Sequence, residues 1–286
     1  LWGKLFGTGL VPTPDDFGAT GEPPSHPALL DWLASEFMRQ GWSRKQLIKL
    51  IVMSETYRQS SRHRDDLTEI DPLNRLLARQ SRLRLDAEIL RDSALAVSGL
   101  LKPVIGGPSF RPPLPEDLYD VGRSKNWQAS PGDEIYRRSL YIITLRSVLY
   151  PTLTTFDAPD AADACVRRDR SNTPLQALTM MNDPVFVEAA QALALRVIRE
   201  APRDATGRLQ HLFGLTLGRK PRADELQRLR AFHNEQKARV RGGGGDALKV
   251  LGIVQASIPA AEAVDAATLV ALARVLMNLD EFINRE

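Results

Sequence analysis

Thr173-Pro174-Leu175-Gln176 is the sharpest structural signal in this chain. Proline at the first helical position removes a backbone donor that has no partner there, while threonine and glutamine at this spacing can satisfy each other's backbone N–H groups. A helix must therefore begin at residue 174, and the polar run before it, Phe156 to Asn172, becomes an ordered loop held against the positive end of that helix. That loop carries Asp157, Asp160 and Asp163, the chain's single cysteine Cys165, the arginines Arg167, Arg168 and Arg170, and the amide of Asn172.

Similar signals recur on either side. Ser25 is expected to cap a helix through Leu29, Leu30, Trp32, Leu33 and Phe37 that stops at Gly41, and Ser43 with Gln46 opens a second that ends near Ser54. Asp86 is expected to cap a third, Ala87 to Val97, ended by Gly99. Asp183 followed by Pro184 starts a helix with Phe186, Ala189, Ala190, Leu193 and Val197 on one face. Leu209, Leu212, Phe213 and Leu217 mark the next, closed by Gly218, and Pro221 begins another. Leu269, Leu272, Val275, Leu276 and Leu279 form a closing helix. The expected class is mainly α, an irregular multi-helix domain with long ordered loops, and no repeat period suggests a solenoid.

The organisation expected is one domain over 1–286: a helical part at 1–101, a proline- and glycine-rich excursion at 102–133, and a helical part at 134–286 with a flexible break near 241–246, at Gly242 to Gly245. Loops as long as the excursion are usually functional or disordered, and Phe110, Tyr119 and Trp127 favour an ordered one over the core. Ser139 to Leu145 is open between buried strand and buried helix, and helix is preferred for want of a partner strand.

Composition excludes several classes. With 286 residues, 43% hydrophobic and 26% charged, the chain can bury a large core. No apolar run reaches about eighteen residues, so no membrane span is expected. A net charge of +3 arises from 38 basic against 35 acidic residues that are intermixed, which argues against a nucleic-acid partner. One cysteine and four histidines without ligand spacing give no metal site, and no C-x-x-C-H stands here to attach haem c.

Four clusters could carry chemistry. Pro14 to Pro27 is a rigid acidic loop in which Asp15, Asp16, Glu22 and His26 could meet a ligand; the plainer reading is that they cap backbone groups. Arg58, between Tyr57 and Gln59, could clamp an anion, or pair with Asp15 or Asp16, which is preferred. Asp71 to Arg91 reads as an alternating-charge helical region, a solvated face or salt-bridge ladder. In Phe156 to Leu178, Asp157, Asp160 or Asp163 could act as a general base and Arg167, Arg168 or Arg170 as anion clamps, with Asn172 and Gln176 as polar contacts. Cys165 suits a small hydrophobe better than a nucleophile.

Phe6-Gly7-Thr8-Gly9-Leu10-Val11 through Gly18, Gly21 to Pro27 with Leu30-Asp31-Trp32-Leu33-Ala34, Ser54 to Ser61, Phe156 to Asp160, Arg170 to Leu178 with Met181-Asn182-Asp183-Pro184, and Asn278 to Phe282 together resemble the planctomycete secreted domain, the C-terminal domain of unknown function of planctomycete cytochrome-c-type multidomain proteins. The resemblance implies a longer exported, extracytoplasmic protein whose signal peptide lies outside this chain, haem c on an upstream domain and no cofactor in this one. It also implies the upstream domains and carbohydrate as partners, in extracytoplasmic redox chemistry linked to polysaccharide use. It brings no catalytic residue. Two alternatives stand: a polar substrate site formed where the 15–26 loop, Arg58 and the 156–178 loop converge, or a non-catalytic structural or interaction module whose charges are internal salt bridges.

Overall fold

The computed structural model describes residues 1–114, 127–145, 149–243 and 247–285. The described residues are mainly α: twelve helices are joined by short 3-10 turns and long ordered loops, with one antiparallel pair of two-residue strands. Two compact units divide at Arg84 and Leu85, inside the segment 1–101 that the sequence suggests is one part. The first comprises Leu1–Arg84 with Asn284–Glu286, the second Leu85–Ile283.

In the first unit, α1 (Trp2–Phe6), α2 (Pro27–Arg39) and α3 (Arg44–Val52) bury Phe6, Leu10, Leu33, Leu47 and Ile51 together. Tyr57 meets Phe6 edge to face at 5.7 Å. Strand β1 (Leu83–Arg84) pairs with β2 (Asn284–Arg285), and Arg285 donates to the carbonyl of Leu5 at 2.6 Å, satisfying an open carbonyl in the last turn of α1. Ser43 caps α3 as expected, accepting from the Gln46 amide at 3.4 Å. Ser25 does not cap α2. His26 holds that position, and both the amide and hydroxyl of Ser25 are drawn to the Leu10 carbonyl, at 2.8 and 3.3 Å. The helical region expected over Asp71 to Arg91 is corrected in its first part: the chain runs irregularly from Asp71 to Arg82 before entering β1, and is helical only from Ala87 onward. Asp71 accepts from the amides of Arg75 and Leu76, both at 2.8 Å, and Asn74 and Leu77 adopt left-handed φ, which together compete with helix.

In the second unit, α4 (Ala87–Ser98), α5 (Pro151–Thr155), α6 (Pro174–Asn182), α7 (Pro184–Glu200), α8 (Ala205–Leu217), α9 (Ala223–Arg241), α10 (Ala247–Leu251), α11 (Ala263–Met277) and α12 (Asp280–Ile283) surround one core. Helix α11 is apolar nearly all round, which is stable only for a helix enclosed by others; α7, α9 and α10 pack against it. Asp183 caps α7 through Val185, and Gly99 and Gly218 end α4 and α8 in left-handed conformation, all as expected. Asp86 is the N-cap of α4 by position.

Ser139 to Leu145 is not a helix. A 3-10 turn, Ser139–Tyr141, leads into an extended segment whose partner comes from the proline-rich excursion: Phe110 donates to Tyr141 at 2.9 Å and accepts from Ile143 at 3.0 Å. Phe110 and Trp127 are buried there with Leu114, Ile142 and Tyr150. Tyr119, Pro115 and Gly122 of the excursion, and Gly244 and Gly245 of the expected break, lie outside the described residues. The break's described beginning is the end of α9 at Arg241, followed by Gly242 and by Gly243 at φ 77°.

Candidate functional site

The sequence-selected residues fall in both units, the 15–26 loop and Arg58 in the first and the 156–178 loop in the second. In the first, the loop closes on itself. Asp16 accepts from Gly18 at 2.7 Å and from the Thr20 hydroxyl, which holds its carboxyl below the usual carboxylate range. Thr13 donates to the Asp16 carbonyl at 2.8 Å and accepts from the Glu22 amide at 3.1 Å. Asp15 is exposed, Glu22 stands 3.9 Å from Arg75, and the His26 ring lies 2.9 Å from the Ser25 hydroxyl. Arg58 pairs with Glu55, at 4.0 Å, in place of the expected Asp15 or Asp16; the two share the turn after α3, in which the Arg58 amide donates to the Ser54 carbonyl at 3.2 Å.

In the second unit the capping box expected at 173–176 is formed, with Thr173 accepting from the Gln176 amide and Gln176 accepting from the Thr173 amide, both at 3.3 Å. The buried Gln176 side chain also donates to the Thr155 carbonyl and the Ser171 hydroxyl, both at 2.9 Å. Asp157 completes this knot. Its carboxylate accepts from the Ser171 amide at 2.9 Å and hydroxyl at 2.8 Å, with its own backbone in left-handed conformation at φ 62°. An aspartate tolerates that region because its short polar chain can bond locally.

The arginines divide by exposure. Arg168 grips Glu88 of α4 with both ends of its fork, at 2.6 and 3.0 Å, and that bond raises its pKa. Arg170 lies 3.6 Å from Asp86. Arg167 is exposed beside Asp169 at 3.8 Å. Asp160 accepts from the Ala162 amide at 3.0 Å in a local turn, and Asn172 is exposed. Cys165 is exposed too, its thiol 3.2 Å from the Arg167 carbonyl, so the expectation of a small buried hydrophobe is corrected: the turn 165–167 keeps it at the surface.

A cleft of about 220 Å³ opens beside this loop. Arg168 and Glu88 form its charged wall, Thr144 and Thr154 supply hydroxyls, and Ile143, Leu153 and Pro159 are among its apolar lining. Asp157 of the loop and Gln176 of α6 are thus brought together, while only Arg168 of the sequence-selected residues lines the cleft.

Sequence reasoning missed a second polar cluster. Arg91 is fully buried and donates to the carbonyls of Ile135 at 2.6 Å and Arg137 at 3.1 Å and to the Ser139 hydroxyl at 3.2 Å. With Tyr136, Tyr150, Asp183 and Glu188 it lines a cavity of about 20 Å³, space for one water molecule. Burial pushes the Glu188 carboxyl up and the Tyr136 hydroxyl up to about 12, and Tyr136 donates to Glu188 at 3.4 Å. The signal was available: Arg91 stands on the same helical stripe as the buried Ala87, Ala94, Leu95 and Ser98, and Glu188 lies one turn from Val185 and Ala192. Both charged side chains interrupt apolar faces.

Among the described residues no group of three or more His, Cys, Asp or Glu could hold a metal ion, and no helix is long and apolar enough to cross a membrane. Neither the curated proteins nor the solved structures contain a match to the chain. The profile of the PSD1 family, described as a protein of unknown function (DUF1553), matches residues 1–233, and the chain belongs to that family.

Proposed function

We propose that the chain serves as a structural and interaction module within a larger exported, extracytoplasmic protein, with the 156–178 loop acting as an internal fastening. One observation carries this reading: the half-buried charged and polar groups of the loop are already engaged within the second unit, Arg168 with Glu88, Arg170 with Asp86, and Asp157 with Ser171 and Gln176, while Arg167 and Asn172 stay exposed at its surface. Donors and acceptors satisfied internally in this way give a loop order, and those groups lose capacity to bind. Haem c, in this reading, belongs to an upstream domain, since this sequence carries no C-x-x-C-H to attach it. The planctomycete origin and the association with cytochrome-c-type domains are part of the same proposal.

The test compares Arg168→Ala and Asp157→Ala in the full-length protein. Fastening requires that both lower the melting temperature while the folded protein keeps whatever activity it has. A lost activity with an unchanged melting transition overturns it.

A second reading, in which the cleft binds carbohydrate for polysaccharide metabolism, is favoured by the position of the Arg168–Glu88 pair in the wall of a space of about 220 Å³. That is smaller than a drug-sized pocket and suits a single sugar ring, with the paired charges facing hydroxyls and Leu153 and Pro159 facing the ring's apolar side. Calorimetric titration with monosaccharides and sulfated oligosaccharides tests it. Saturable binding that Arg168→Ala removes supports carbohydrate recognition, and no heat from either protein rejects it.

A further inference from the structure

The outer end of the helical hairpin in the first unit has properties that its own fold does not use. Between Phe37 and Ser54 the chain carries Arg39, Arg44, Lys45 and Lys49 and no acidic residue. Arg39 is bonded back to Glu36 at 2.7 Å, whereas Arg44, Lys45 and Lys49 make no ion pair among the described residues. At the turn between α2 and α3, Gly41 and Trp42 are both left-handed, at φ 64° and 60°. Glycine takes that conformation without strain, but for a side chain as large as tryptophan it is an outlier, and outliers of this kind concentrate where function requires them. The indole makes one edge contact with Phe37, 5.2 Å between rings, and remains 65% exposed, with Met38 beside the turn 53% exposed. Along α3, Lys45, Ile48 and Lys49 continue the exposed face that Trp42 begins, at helical spacing.

We infer that this hairpin tip is a docking surface for an anionic lipid membrane, entered by Trp42 and Met38 and held by Arg44, Lys45 and Lys49. The chemistry is that of interfacial anchors: an indole at headgroup depth, a flexible thioether beside it, and cations whose aliphatic stems lie along the apolar boundary while their charges meet lipid phosphates. A turn joining two helices is convex. A deformable lipid surface accepts a convex apolar tip directly, whereas a protein partner would need a matching acidic groove. The inference is independent of the reading proposed for the 156–178 loop, which lies in the other unit.

Sedimentation of the full chain with vesicles of phosphatidylcholine alone, or of phosphatidylcholine mixed with phosphatidylglycerol, tests it. Binding is expected only to the mixture, weakening as salt is raised, with a blue shift in tryptophan fluorescence. Lys45→Ala with Lys49→Ala should lower affinity about 30-fold, from the usual contribution of a basic residue near an anionic surface. Trp42→Gly is the decisive variant: glycine suits the left-handed turn, so the melting transition should be kept while the blue shift and most of the binding are lost. No binding to the mixed vesicles, including the case in which the tip captures only an acidic protein, overturns the inference. So does wild-type binding by Trp42→Gly.

Discussion

Arg168 and Glu88, eighty positions apart, meet in a two-pronged ion pair, Nη1 to Oε2 at 2.6 Å and Nη2 to Oε1 at 3.0 Å. The pair ties the 156–178 loop to α4. Charge alone would not fix it, because a lysine is a point donor and cannot reproduce the planar fork. Arg168→Ala should therefore lose about 1–3 kcal/mol, and Arg168→Lys should recover less than half of that. Urea unfolding of both variants checks the order; equal stability of the lysine variant and wild type would show that the fork geometry is irrelevant.

Asp157 combines a left-handed backbone with a carboxylate that Ser171 uses twice. Substitutions separate the two roles. Asn keeps an acceptor and tolerates the conformation, Gly relieves the backbone but leaves the Ser171 amide without its acceptor, and Ala suffers both losses. Thermal stability should fall in the order wild type, Asp157→Asn, Asp157→Gly, Asp157→Ala, with the last costing about 2–3 kcal/mol. An alanine variant as stable as the asparagine one would remove Asp157 from the knot.

Glu188 predicts a pH dependence of unusual sign for a carboxylate. Burial raises its pKa, nearby Asp183 adds to that, and the Tyr136 hydrogen bond and Arg91 oppose it. The folded chain thus holds this proton more tightly than the unfolded one. Its contribution to stability is complete below the unfolded value, about 4.3, and is lost as pH rises through the higher folded value. Glu188→Gln, which stays neutral and can still accept from Tyr136, should melt higher than wild type at neutral pH and at the same temperature near pH 3. A melting temperature below wild type at neutral pH would mean that the charged form is the stabilising one.

Glu225 has the ordinary sign. Hydrogen bonds from Arg219, at 2.7 and 2.8 Å, hold it down to about 2, and the Arg222 amide adds a third at 2.7 Å. Its contribution is present above the unfolded value of about 4.3 and disappears as pH falls through about 2. The gap in melting temperature between wild type and Glu225→Gln should stay constant from neutral pH to about 5 and close below that. A gap independent of pH down to 2 would assign the loss to something other than this charge.

The elements legible in advance were those with local causes. Thr173 to Gln176, Asp183-Pro184, Ser43 with Gln46, Gly99 and Gly218 each act within one helical turn, and each stands where the spacing placed it. Where reading along the chain failed, a distant partner intervened. Ser139 to Leu145 lacked a visible strand partner because that partner, Phe110, lies across a proline-rich excursion. Ser25 carried a good capping residue, but the Leu10 carbonyl claimed it.

By itself the amino-acid order determined the mainly helical class, the starts and stops of the principal helices and the ordered state of the 156–178 loop, since propensity, capping and turn chemistry depend on neighbours in sequence. Only the tertiary structure decided which charges pair. Arg168 could have met any of several acids, and Arg91 read as one member of a solvated run. Burial, which depends on what packs above a residue and not on what precedes it, placed Arg91 in the interior with Glu188 and set Arg168 on Glu88 at the edge of a cleft.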